Sequence, residues 1–182
     1  MHNRSPIAQS PSRCSRIFAA TFALCVTGAG LTEAEEEAWS ACSTPKTQYV
    51  LQIPASLIHS TAPTATGCSF QTANGEFTVE AVVQPDAAEE ETLDSRMQKE
   101  IDLLAGTVKY KKKGGTWFVL SGVTPDGTEY YRKLYTKGQQ WVTLRITYPH
   151  DKNKKYDKWV TRMEKTFVPF AELKEKSDDQ GD

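Results

Sequence analysis

His150 sits in the run Tyr148-Pro-His-Asp151, where a phenol, an imidazole and a carboxylate lie close enough in the chain to hold and move a proton. His59 lies in a stretch rich in Ser and Thr with no such neighbours. One imidazole beside a helix start is more simply a solvated turn residue. Ser56, Ser60 and Ser121 lack the Gly-x-Ser-x-Gly setting that presents a nucleophile. Asp86, Glu89, Glu90 and Glu91 have the ligand chemistry for calcium, but neither the alternating spacing nor the turn glycine of a dedicated loop. A solvated helix start accounts for them. The chain is therefore expected to hold no catalytic set, no metal and no cofactor, and not to be an enzyme.

The residues suited to binding are sharper. Lys109, Lys111, Lys112 and Lys113 crowd one predicted strand, and alternation puts Lys109, Lys111 and Lys113 on one side with Val108 and Tyr110 on the other. Lysine also blunts the edge of a sheet against aggregation, which is the competing account. Lys152, Lys154, Lys155 and Lys158 form a second cluster at a helix start, where positive charge opposes the helix dipole. Trp117, Trp141, Tyr131 and Tyr135, beside Lys133 and Arg145, could form an aromatic platform for a sugar or a protein. The alternative is that a helix covers them.

Charge is split along the chain. Of its 182 residues, 22 are basic and 23 acidic. Residues 31–102 hold 13 acids and three bases, whereas residues 107–168 hold 14 bases and five acids. Such polarity suits an anionic partner, and equally suits two halves that neutralise each other on folding. An overall acidic balance argues against nucleic acid.

The N-terminus speaks to compartment. Arg4, Arg13 and Arg16 precede a short apolar run, Ile17 to Val26, and the small residues Thr27-Gly-Ala-Gly30 follow. That order matches a secretory signal peptide over 1–30, and it falls short of the ~18 apolar residues of a spanning helix. Cleavage after Ala29, Gly30 or Ala34 fits equally. Export to a secreted or periplasmic location leaves Cys42 and Cys68, for which a disulfide is the simplest expectation in an oxidising compartment, and two unconnected thiols the alternative.

These side chains must be positioned by a recognisable set of elements. An acidic leader (31–45) precedes a strand at Gln48–Ile53, stopped by Pro54, and Ser56-Leu-Ile58 suggests one helical turn. Cys68–Gln71 and Glu76–Val83 are strands joined at Asn74-Gly75, a strong hairpin signal. Thr92 is a plausible N-cap for a helix whose Leu93, Met97, Ile101 and Leu104 recur at helical spacing up to Gly106. Four strands follow at Thr107–Lys112, Thr116–Ser121, Glu129–Tyr135 and Gln140–Tyr148. Asp151 is placed to cap a final helix that gathers Tyr156, Trp159, Val160, Met163 and Phe167, and a polar tail (171–182) closes the chain. The expected fold is α+β: one domain over 46–170, an antiparallel sheet of about six to seven strands flanked by two amphipathic helices.

This order resembles the PsbP-like fold, named for an extrinsic subunit of photosystem II and shared by a Ran-binding import factor and DcrB-type bacterial envelope proteins. The resemblance is carried by Tyr49-Val-Leu-Gln-Ile-Pro54, the mid-chain helix 92–105, the meander 107–148 and Lys165-Thr-Phe167 after the closing helix. It implies a layered sandwich and a non-enzymatic binding or assembly role, and transfers no functional residue. The binding candidates are therefore Lys109, Lys111, Lys113, Trp117, Lys133, Trp141 and Arg145. The expected partner is an acidic protein or envelope component, with no stable membrane span after signal cleavage. A small-ligand or glycan site on a Trp117/Trp141 face is the alternative.

Overall fold

The computed structural model describes residues 37–43, 49–64, 66–84 and 91–171. The expected signal peptide, most of the leader, the linker 85–90 and the tail from 172 lie outside the described residues.

The chain runs β1 (Trp39–Cys42), β2 (Tyr49–Pro54), β3 (Ile58–His59), β4 (Gly67–Gln71), β5 (Thr78–Gln84), α1 (Leu93–Leu103), β6 (Val108–Lys113), β7 (Trp117–Val123), β8 (Thr128–Lys137), β9 (Gln140–Pro149), α2 (Asn153–Thr166) and β10 (Val168–Pro169). Seven strands form an antiparallel sheet in the order β3-β4-β5-β9-β8-β7-β6, so β3 and β6 are its edges. A second sheet, β1-β2-β10, is built on both sides of β2. The α+β fold with one large antiparallel sheet and two helices is as the sequence predicts; the separate small sheet is an addition.

Alternation on β9 divides the interior into two cores. Val142, Leu144, Ile146 and Tyr148 join Phe77, Val79, Ala81 and Val83, the β2 residues Tyr49, Leu51 and Ile53, and Tyr156, Met163 and Phe167 at the far end of the chain. Trp141 faces the other way, into a smaller core of Phe118, Leu120, Tyr130 and Leu134 roofed by Leu93, Met97, Ile101 and Leu104. Each fully buried Leu or Phe here contributes ~1.5–3 kcal/mol of transfer free energy. The sheet is thus a wall between α1 on one face, and α2 with the small sheet on the other.

Local chemistry sets the ends. The Thr92 side chain accepts from the Ser95 N–H at 3.1 Å and starts α1. Ala105 and Gly106, both at positive φ, stop it. The hairpin turn at Asn74-Gly75 relies on Gly75 at φ +70°.

Three local expectations are corrected. Ser56–Ile58 is not a helical turn, since Ile58 and His59 pair with Gln71 and Phe70. Asp151 does not cap α2; His150–Lys152 forms a 3-10 turn and the helix starts with no side-chain cap. Trp39–Cys42, within the stretch read as leader, forms a strand because β2 offers it an open edge.

Candidate functional site

The meander end of the sheet is where the predicted binding residues collect, and cross-strand register decides which of them meet. On β7 and β8, Trp117 stands opposite Tyr135, Val119 opposite Lys133 and Ser121 opposite Tyr131. Directly paired residues share a face, and Tyr131 and Tyr135 pack against the α2 core, so this is the α2 face. Trp141 pairs with Thr136, one residue on from Tyr135, so it points to the α1 face. There it is 1% exposed, with the Arg96 guanidinium 5.8 Å from its ring. Trp117 and Trp141 therefore do not form one face, and the closed α1 core holds Trp141.

A register shift redistributes the lysines. β6 pairs Val108 with Gly122 but Tyr110 with Ser121, so Lys109 is the extra residue of a bulge. Beyond it Tyr110 and Lys112 share the α2 face, and Lys111 and Lys113 share the α1 face with Val108. Simple alternation, which grouped Lys109, Lys111 and Lys113 opposite Val108 and Tyr110, fails at the bulge.

These placements leave a cleft of about 290 Å³ between the meander and α2, lined by Tyr110, Lys112, Trp117, Val119, Tyr131, Lys133, Val160, Thr161 and Glu164. α2 packs on β2 and β9, and its Glu164 reaches Lys133 of β8. The Trp117 indole lies close over Gly114, where a Cβ would fall 2.4 Å from its Nε1. Lys133 forms the floor: its Nζ donates to Glu164 at 2.5 Å and lies 5.1 Å from the Trp117 ring centre and 5.3 Å from that of Tyr135. Burial works against the Lys133 charge, yet its hydrogen bonds to Glu164 and Tyr135 outweigh that and hold its pKa above the ordinary lysine value. Burial, then the Glu164 charge, pushes the Tyr131 phenol up, so it remains a donor. The cleft offers aromatic surface, one paired ammonium and a second ammonium at its rim. That chemistry suits binding.

Electrostatic pairing sorts the remaining cations. Lys113 meets Asp94, Arg132 meets Glu100, Arg145 meets Glu80, and Lys152 and Lys155 both meet Glu76. Each of those pairs joins the basic half of the chain to the acidic half, so part of the charge split is internal, while Lys137, Lys154, Lys158, Arg162 and Lys165 meet no carboxylate among the described residues. Lys109, Lys111 and Lys112 are exposed and meet no carboxylate among the described residues. They lie on β6, whose single neighbour in the sheet is β7.

The proton-transfer candidates come apart. His150 Nδ1 meets Glu129 at 2.8 Å on the surface, while the buried Tyr148 hydroxyl donates to Asp157 at 3.2 Å. Cys42 and Cys68 stand with their sulfurs 2.7 Å apart as thiols, beside a cavity of about 330 Å³ that both line. Among the described residues no three His, Cys, Asp or Glu side chains converge to hold a metal, and no helix is long and apolar enough to cross a membrane.

Of the seven predicted binding residues, Trp117 and Lys133 enter the cleft. Lys109 and Lys111 lie at its edge strand. Lys113, Trp141 and Arg145 are engaged on the other face. The sequence reading missed Tyr110, Val160, Thr161 and Glu164. The α2 periodicity carried a signal for Val160 and Glu164, four residues apart on one side of the helix.

No protein-family model and no curated protein matches the chain. In structure it is similar to the cyanobacterial PsbP (CyanoP) of Synechocystis, with a TM-score of 0.53 and 12% identity over 76% of this chain and 96% of that one. It is also similar to a crystal structure of a protein from Bacteroides thetaiotaomicron, with a TM-score of 0.49 and 12% identity, covering 74% of this chain and about half (48%) of that one. The fold is PsbP-like, as the element order predicts.

Proposed function

We propose that this chain is an exported, non-enzymatic binding protein that engages an acidic segment of a protein partner along β6. The observation that carries this reading is the contrast among the cations. Lys113, Arg132, Lys133, Arg145, Lys152 and Lys155 meet carboxylates, whereas Lys109, Lys111 and Lys112 stand exposed side by side on a terminal strand without a counter-charge among the described residues. An open strand edge also presents backbone N–H and C=O groups to an extended partner, and the three ammoniums select for acidic side chains on it. Export is supported by the basic-apolar-small order of residues 1–30 and by the closeness of the two remaining thiols.

The experiment is fluorescence anisotropy of a labelled, extended Glu-rich peptide with the full chain, at low and high salt. Binding that weakens with salt, and is abolished by joint Lys109→Glu, Lys111→Glu and Lys112→Glu substitution, is the expected result. Salt-independent binding, or binding untouched by the charge reversal, overturns the assignment of β6.

The cleft favours a second reading, a small-ligand or glycan site. Trp117 and Tyr110 offer ring surface to a sugar face, and Thr161 and Glu164 offer hydrogen-bond partners. A saccharide that raises Tm in the wild type and in Trp141→Phe, but not in Trp117→Ala, would favour it.

A further inference from the structure

The two sheets approach each other at Cys42, on the outer strand of the small sheet, and Cys68, on β4 of the large one. Their sulfurs are 2.7 Å apart. Both line the cavity of about 330 Å³ with Ser40, His59, Pro63 and Phe70; Cys68 is buried and Cys42 half-buried, so the cavity is the route by which a disulfide sulfur must approach Cys68. The pair is not symmetric. The Tyr49 hydroxyl lies 2.9 Å from the Cys68 sulfur and 3.0 Å from the Ala81 carbonyl.

We propose that Cys42 and Cys68 form a thiol–disulfide exchange site in which Cys68 is the attacking sulfur and Cys42 the resolving one, with a disulfide fastening β1 to β4 as the product. This inference does not depend on the β6 reading. The thiolate is the nucleophile in such exchange. Burial keeps the Tyr49 phenol protonated, so rotation about its C–O bond turns its proton from the Ala81 carbonyl to a thiolate on Cys68. The hydrogen bond from Cys42 lowers the Cys68 pKa, and Tyr49 adds to it against the opposing effect of burial. The Cys42 thiol is pushed up, first by its hydrogen bond to Cys68 and then by burial.

The chemistry balances with a small organic disulfide such as oxidised glutathione as the oxidant. The Cys68 thiolate attacks one glutathione sulfur, a protein–glutathione disulfide forms, and a glutathione thiolate leaves. The Cys42 sulfur then attacks the Cys68 sulfur, its proton passes to the second departing glutathione, and the intramolecular bond closes. Two protein thiols are oxidised and one glutathione disulfide is reduced to two thiols. The bond gives β1 a covalent hold on the large sheet, in addition to its pairing with β2.

The test uses the reduced full chain, oxidised glutathione without oxygen, and peptide mapping by mass spectrometry. A Cys42–Cys68 linked peptide and a raised Tm are expected. In Cys42→Ser a glutathione adduct should accumulate on Cys68, faster than an adduct on Cys42 forms in Cys68→Ser. Tyr49→Phe should slow the first step about tenfold at neutral pH and little at high pH, where thiolate no longer limits. Two free thiols at equilibrium with oxidised glutathione would overturn the site. Faster capture on Cys42, or a Tyr49→Phe rate lowered equally at all pH, would overturn the assignment of roles. The wild-type mapping and its pH profile stand even if a variant fails to fold.

Discussion

Trp117 and Trp141 stand on opposite faces of one sheet, facing Tyr135 and Thr136 across the neighbouring strand β8. The first borders an open cleft and the second is sealed beneath α1. Their loss should therefore read differently. Trp141→Ala removes the centre of the α1 core and should cost about 3–5 kcal/mol in urea unfolding. Trp117→Ala should cost about 1 kcal/mol, because its ring is already partly in water. Acrylamide should quench wild-type emission less after Trp117→Phe.

Glu100 is the one buried carboxylate of α1, 3% exposed, and it takes Arg132 at 2.8 Å and Arg96 at 3.5 Å. Removing it leaves two guanidiniums close together with their shared counter-ion gone. Glu100→Ala should lower stability by about 2–3 kcal/mol, under the 3–5 of a fully buried pair because both arginines reach solvent. Arg96→Ala should cost less than Arg132→Ala, since Glu100 then keeps its shorter contact to Arg132 and Glu91 keeps Lys99. Denaturant midpoints of the three variants would order them.

Glu76, beside the β4–β5 turn, ties that hairpin to α2 and the 3-10 turn before it by accepting from Lys152, Tyr156 and Lys155. The Lys152 hydrogen bond, then those of Tyr156 and Lys155, hold its carboxyl well below the usual carboxylate range. A depressed folded-state pKa gives stability that is present above the unfolded value, ~4.3, and lost as pH falls through the folded one. Wild-type Tm should thus decline as pH drops below about 4. Glu76→Gln should have a lower Tm at neutrality and a flatter acid limb. Equal slopes would show that other carboxylates govern the acid transition.

Gly122 lies where β6 starts. A Cβ there would come within 2.1 Å of the Thr107 carbonyl oxygen and 2.6 Å of the Tyr130 hydroxyl. Backbone cannot yield as a side-chain tip does, so Gly122→Ala should push the first residues of β6 away at a cost of about 1–3 kcal/mol. Hydrogen exchange should quicken at Val108 and Tyr110 and stay unchanged across β8 and β9. It should also weaken binding of the acidic peptide without removing a charge.

How much of this is legible in the residues depends on whether a pattern is local. The α1 stripe is local and falls as written, and the alternation of Val142, Leu144, Ile146 and Tyr148 along β9 is local too. The bulge at Lys109 is not: two residues of β6 face one of β7, a fact that belongs to the pair of strands. It flipped Tyr110 and Lys112 into the cleft, and so hid the very residues that shape it. Trp39–Cys42 and Val168–Pro169 are too short to show a period, and become strands because β2 has two open edges. The Trp117/Trp141 platform does not form because aromatic type carries no parity, and the β8 pairing puts an odd step between the two rings.

The small sheet also gives the molecule a handle. β1 and β10 flank β2, and both chain directions out of the described region leave from there. Cys42 lies against Cys68 on β4, five strand spacings from β6, or ~24 Å at ~4.8 Å each. A probe attached on β1 beside Cys42 would therefore sit at the end of the large sheet remote from its lysine-bearing edge, and would report on β1 without touching that edge.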